Sequence, residues 1–135
     1  MATVNMKAEF KSDIKNIWDV VTSCTEYAWR SDLSKIEVVE EGKKFVEYTK
    51  DGYATEFVIK VFEPYKRYEF DMENGNMKGH WTGFFSEKDG VVTIDFTEEV
   101  CAKKTIMKPF VRMYLKKQQT VYLSDLKKVL EKNEI

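Results

Sequence analysis

Few side chains in this 135-residue chain are suited to chemistry. His80 is the only histidine, hence the only side chain whose ordinary pKa lies near neutrality. A lone imidazole with no cysteine or histidine at ligand spacing does not make a zinc site, so no metal and no cofactor is expected. His80 alternates with Trp81 along an expected strand. If Trp81 and Phe85 point inward, His80 points to water, unless a bulge between Gly79 and Gly83 reverses the order and gives it a proton-transfer role. Glu98 is of more interest. It continues the parity of Val92, Ile94 and Phe96, which aims a carboxylate at the covered face of a sheet unless a bulge at Glu98-Glu99 returns it to solvent. Arg112 could pair with it, or could hold an acidic ligand group through two nitrogens. Glu98 would then be a pocket anchor or an acid/base with a raised pKa. Cys24 and Cys101 have no metal-ligand spacing and read as free thiols; Cys24, without a cationic partner near it in sequence, is expected to be an inert buried thiol, and Cys101 at a strand end similar.

The composition limits the setting for these groups. A hydrophobic share of 43 % and a charged share of 33 % are ordinary for a globular protein, and the length suits one domain over residues 1–135. The net charge of −1 creates no field for nucleic acid. The basic run through Lys103, Lys104, Lys108, Arg112, Lys116 and Lys117 reads as a solvated helix face. No apolar run is long enough for an integral membrane segment, and the opening MATVNMKAEFK has no signal-peptide core, so a cytoplasmic location is expected. There is no phosphate-cradling glycine loop and no Ser-His-Asp order. The 14 % aromatic share is high and needs either a thick core or a lined pocket.

Val4, Met6, Ala8 and Phe10 alternate with polar residues, which predicts a half-buried first strand. Ser12-Asp13 is a helix start, and Ile14, Ile17, Trp18 and Val21 give a short amphipathic helix. A second short helix is expected over Thr25 to Ser31. Six strands follow, Lys35–Glu40, Lys44–Lys50, Ala54–Phe62, Arg67–Glu73, Met77–Ser86 and Val91–Val100, separated by turn signals such as Asp51-Gly52, Asn74-Gly75 and Asp89-Gly90. Within them Phe57, Ile59 and Val61 share one face, while Phe62 and Phe84 take the outward parity. From Thr105 to Glu134 the chain has no glycine, and its apolar residues recur at Met107, Phe110, Val111, Tyr114, Leu115, Val121, Tyr122, Leu126, Val129 and Leu130. Lys108, Arg112, Lys116, Lys117, Lys127, Lys128 and Lys132 take the other side. This is a helix of about 40 Å at ~1.5 Å per residue. Gln118 interrupts its apolar stripe, as suits a helix half on core and half on a cavity.

A seven-stranded antiparallel sheet with one apolar face needs a cover, and the last helix is the only large element left. This order, strand, two short helices, six-strand meander and long C-terminal helix, resembles the helix-grip order of the START/polyketide-cyclase-like (SRPBCC) superfamily, which includes the birch-pollen allergen group. Three stretches carry the likeness: Ser12 to Val21, the segment Gly79-His80-Trp81-Thr82-Gly83-Phe84-Phe85 with Asp89 to Ile94, and the ending Tyr122 to Glu131. The resemblance implies an α+β fold with a curved sheet around the helix, and a family without a shared catalytic motif. Its members bind lipids, sterols, hormones or polyketides, and some are cyclases or chaperone activators.

The expected function is binding of a small hydrophobic or amphipathic ligand between sheet and helix, by a monomer or homodimer. Candidate ligand-binding residues are Trp29, Tyr48, Phe57, Tyr68, Phe70, Trp81, Phe85, Glu98, Arg112, Tyr114, Gln118 and Tyr122. The aromatics exceed what a filled core needs, and the tyrosine hydroxyls require partners. One rival is a cyclase or hydratase using Glu98 or His80 as acid/base. Another is a protein-binding module on the outer sheet face, marked by exposed Phe62 and Phe84.

Overall fold

The computed structural model describes residues 1–133, with side chains through Glu131; the expected helix end at Glu134 and the side chain of Lys132 lie outside the described residues. The described residues form strand β1 (Ala2–Phe10), helix α1 (Ile14–Thr22) and strands β2 (Leu33–Glu40), β3 (Lys44–Thr49), β4 (Ala54–Glu63), β5 (Arg67–Glu73), β6 (Met77–Lys88) and β7 (Val91–Ala102). A short 3₁₀ segment (Thr105–Phe110) then leads into helix α2 (Val111–Asn133). The strands make one seven-stranded antiparallel sheet in the order β1-β7-β6-β5-β4-β3-β2, curved and unclosed, so β2 to β7 are a meander and β1 returns beside the last strand. With α2 on its inner face this is the α+β helix-grip fold.

Parity assigns the two faces of the sheet. Val92, Ile94, Phe96 and Val100 of β7 are buried, as are Phe10 opposite Val92 and Val4 opposite Glu98 on β1. From α2, Val111, Leu115, Leu126 and Leu130 join the same core. Asp13 caps α1 by accepting a hydrogen bond from the Lys15 amide at 3.1 Å, and the helix buries Ile17 and Trp18.

Three expectations are corrected. The second short helix, over Thr25 to Ser31, is replaced by turns. Ser23 Oγ accepts from the amides of Glu26 (2.9 Å) and Thr25 (3.3 Å), as a helix cap would, but the amide of Ser31, which the last turn of the helix would have used, is taken elsewhere. The buried carboxylate of Asp125 on α2 accepts from both the amide and the hydroxyl of Ser31, at 2.9 and 2.8 Å. The last helix is α-helical only from Val111 onward. Pro109 has no N–H and biases Lys108 away from the α region, so the turn before Val111 stays 3₁₀. In β4, the pairing with β5 shifts register between Ile59 and Val61. The bulge puts Val61 opposite Glu69, on the other face from Phe57, and sets Phe62 opposite inward-facing Tyr68. Phe62 is 51 % exposed, but its ring meets Trp18 edge-on at 5.4 Å, so it is not an outward residue.

Candidate functional site

Inner-face side chains of β3 to β7, the turns between α1 and β2, and the first half of α2 enclose a cavity of about 710 Å³. Its walls are aromatic. Phe45 and Phe57, cross-strand partners, stack at 4.9 Å, and Phe70 and Trp81 stack at 5.1 Å. Trp81 also lies against Phe96, with its indole folded over Gly83 on the same strand face. Any side chain at position 83 would collide with that indole, so the glycine allows the ring to lie flat. At the mouth, the exposed side chains of Met107, Phe110, Met113 and Tyr114 form an apolar lip.

A small polar group interrupts these walls. Arg30 comes from the turn segment. Its Nε and Nη2 donate to the two oxygens of Asp32, each at 3.0 Å, and its Nη1 donates to Glu47 Oε2 at 3.5 Å. The guanidinium also lies over the rings of Tyr122 and Trp29, at 5.0 and 5.7 Å. Burial opposes its charge, but the Glu47 and Asp32 carboxylates outweigh that and hold its pKa above the ordinary value. Glu47 is raised, because its own burial exceeds the help from Arg30. Deeper along α2, Gln119 Nε2 donates to Glu98 Oε1 at 3.2 Å. Burial pushes Glu98 above the usual carboxylate range despite that bond. Burial likewise raises the hydroxyls of Tyr68 and Tyr122 and the thiol of Cys24, all on the cavity wall.

The cavity brings together Trp29, Phe57, Tyr68, Phe70, Trp81, Glu98, Tyr114, Gln118 and Tyr122. Four candidates lie elsewhere. Tyr48 has the parity opposite to Phe45 and packs outside under the Lys35 ammonium, 4.6 Å from its ring. Phe85 is buried, but against Trp18 at 4.8 Å. Arg112 is exposed and donates to the Thr3 carbonyl oxygen at 3.2 Å; the partner of Glu98 is Gln119 instead. His80 lies on the outer face, since β6 keeps its register with β5 and β7 across Gly79–Gly83. Its Nδ1 meets Asp71 at 2.6 Å and its Nε2 meets Glu69 at 2.7 Å. A carboxylate on each nitrogen favours the protonated ring. Partial burial opposes this charge, yet the hydrogen bonds to Asp71 and Glu69 raise the pKa. Glu69 also pairs with Arg67, and its pKa is lowered although its burial works the other way. Phe84 is 51 % exposed on this face, beneath the Arg67 guanidinium. Cys101, expected to be a buried thiol like Cys24, is exposed.

Several site residues escaped sequence reasoning. Glu47 was legible, because it shares parity with Phe45, whose partner Phe57 is inward. Gln119 was legible too: Val111, Leu115 and Gln119 are spaced i, i+4, i+8, and this is the stripe that faces the core. Arg30 and Asp32 sit in aperiodic turns and carry no such signal.

No group of three or more His, Cys, Asp or Glu side chains among the described residues is placed to hold a metal ion. No helix among the described residues is long and apolar enough to cross a membrane. Neither the models of known protein families nor the curated proteins give a match to this sequence. Solved structures do. A conserved protein from Geobacillus kaustophilus superposes with a TM-score of 0.82 at 13 % identity, over 97 % of this chain and 96 % of that one. A START superfamily protein from Mycobacterium smegmatis gives 0.81 at 12 % identity, over 96 % and 97 %. CalU16 from Micromonospora echinospora gives 0.65 at 10 % identity, over 92 % and 75 %. At these identities the likeness is one of fold.

Proposed function

We propose that this chain is a single ligand-binding domain that encloses a small hydrophobic or amphipathic molecule between its sheet and α2. The observation that carries this reading is the cavity of about 710 Å³ with stacked aromatic walls and a few converging polar groups, the make-up of a small-molecule site. The fold shared with a START superfamily protein supports it by analogy. Lipid-like, sterol-like and aromatic polyketide-like bodies are the classes to screen, by native mass spectrometry of the purified protein and by thermal shift. A bound ligand at 100 times its Kd adds about 2.7 kcal/mol of stability. No co-purified molecule and no shift with any class would overturn the reading.

One observation favours a second reading, a cyclase- or hydratase-type enzyme. Glu98 lines the cavity, and burial shifts its pKa upward, the direction a general acid requires. A pH–rate profile lost in Glu98→Gln would support it, and unchanged turnover would remove Glu98 from any mechanism. His80 is oriented away from this cavity, so His80→Ala is expected to leave such a turnover unaltered.

A further inference from the structure

The polar part of the cavity is unbalanced in two independent ways. First, charge: apart from Lys117 at the exposed rim, the described lining residues supply one guanidinium, Arg30, against the carboxyl groups of Asp32, Glu47 and Glu98. The guanidinium is already committed. Its Nε, Nη2 and Nη1 each donate to Asp32 or Glu47, and the rings of Tyr122 and Trp29, themselves 5.4 Å apart, lie together on one side of it. Its charge is already set against two carboxyl groups, which disfavours the arrival of a further anion. Second, hydrogen bonding: Gln119 is 1 % exposed and lines the cavity, and its Oε1 has no hydrogen-bond partner among the described residues. A buried acceptor without a donor is costly, by roughly 1–3 kcal/mol in mutational data. Its neighbour Glu98 adds a second oxygen-rich group at the same place, where Gln119 Nε2 takes only Oε1.

Resting on the ligand-binding reading above, we propose that the polar end of the ligand is a hydrogen-bond donor, a hydroxyl or a protonated amine, seated between Gln119 Oε1 and Glu98, and that carboxylate-headed ligands are excluded. A hydroxyl satisfies the orphaned amide oxygen. A protonated amine does so as well, and also offsets the excess of carboxyl groups. A fatty-acid or other carboxylate head brings a further negative charge into a low-dielectric site with no free cation among the described lining residues deeper than the rim, and cannot donate to Gln119.

Three fluorescent probes with one body and different heads separate these cases: 1-pyrenebutanol, 1-pyrenebutylamine and 1-pyrenebutyric acid, titrated into the purified chain at pH 7.5, with Nile red as a reporter lacking a donor. The alcohol and the amine are expected to bind at least about tenfold more tightly than the acid, the scale of one lost charge-assisted contact. Gln119→Leu should reduce the advantage of the alcohol over the acid, leaving the part due to charge, and Glu98→Gln should weaken the amine selectively. An acid that binds as tightly as the alcohol overturns the inference and leaves the cavity reading intact, as does binding of Nile red with none of the pyrenes. Failure of all four probes overturns both. An alcohol-to-acid affinity ratio that is unchanged in folded Gln119→Leu also overturns the inference; should that variant not fold, the unmodified chain with the probe series decides alone.

Discussion

The space between the sheet and α2 has two unlike halves. Around Trp18, Phe85, Val92, Ile94, Leu126 and Leu130 it is sealed: all are buried, and none touches the cavity. Around Phe57, Phe70, Trp81 and Glu98 the same two elements stand apart. One helix serves both, and what changes along it is the stripe, from Leu126 and Leu130 to Gln119 and Tyr122. The other difference is what lies at each end. A regular helix, α1, drives Trp18 into the sealed half, whereas the open half is bordered by turns pinned to Asp125 through Ser31. Packing supplies stability on one side; polar groups held by specific bonds keep space open on the other.

The sharpest test of this contrast compares truncations. Trp18→Ala is expected to cost about 3–5 kcal/mol in urea denaturation, the usual range for emptying a filled core. Phe57→Ala, facing existing space, should cost about half as much; equal costs would erase the distinction. Next in size is Arg30→Ala, which leaves Glu47 and Asp32 without their cation and should cost about 3 kcal/mol, as for a broken buried pair. Replacing Arg30 and Glu47 together by Met and Leu should recover most of that loss.

Smaller effects depend on pH. Glu98 is raised in the folded state, so the fold prefers its protonated form. That preference becomes a penalty as pH rises through the unfolded value of about 4.3 and is complete above the folded one. Glu98→Gln should therefore raise the Tm by a few degrees at pH 7.5, with no advantage left below about pH 4. An advantage that persists at pH 3 would show that burial of the charge is not its cause. The outer face behaves in the opposite sense. His80 is also raised, but as a cation, so its contribution is full below about pH 6.5 and fades as pH climbs through the folded value. Because Asp71 is well exposed, His80→Ala should cost at most about 1 kcal/mol at pH 6 and less at pH 9. A constant difference across that range would remove the ion pairs as its source.

Most of the architecture was readable because it rests on periodicity. Alternation placed the strands, and the glycine-free stretch placed α2, since these patterns record which face is dry. What was missed depends on single bonds. The Thr25–Ser31 helix was lost to Asp125, which takes the Ser31 amide, and Val61 and Phe62 were misplaced by one extra residue in β4. In the site, Glu98 followed from parity, but Tyr48 was chosen for its ring although Phe45 and Glu47 fix the inward face of its strand. Arg30 could not be foreseen, because its position comes from a turn whose shape depends on a carboxylate on α2, far along the chain.

The placement of β1 beside β7 has a consequence for how this molecule is made. Its register runs from Ala2 opposite Val100 to Phe10 opposite Val92, so the earliest strand gains its neighbour only when the chain has been synthesised past Ala102. Until then the growing polypeptide carries an unpaired apolar ribbon, and the last hairpin presents a bare edge to anything nearby. The contacts between β1 and β7 close a loop of that length, and such long-range pairing slows folding relative to pairing within local hairpins.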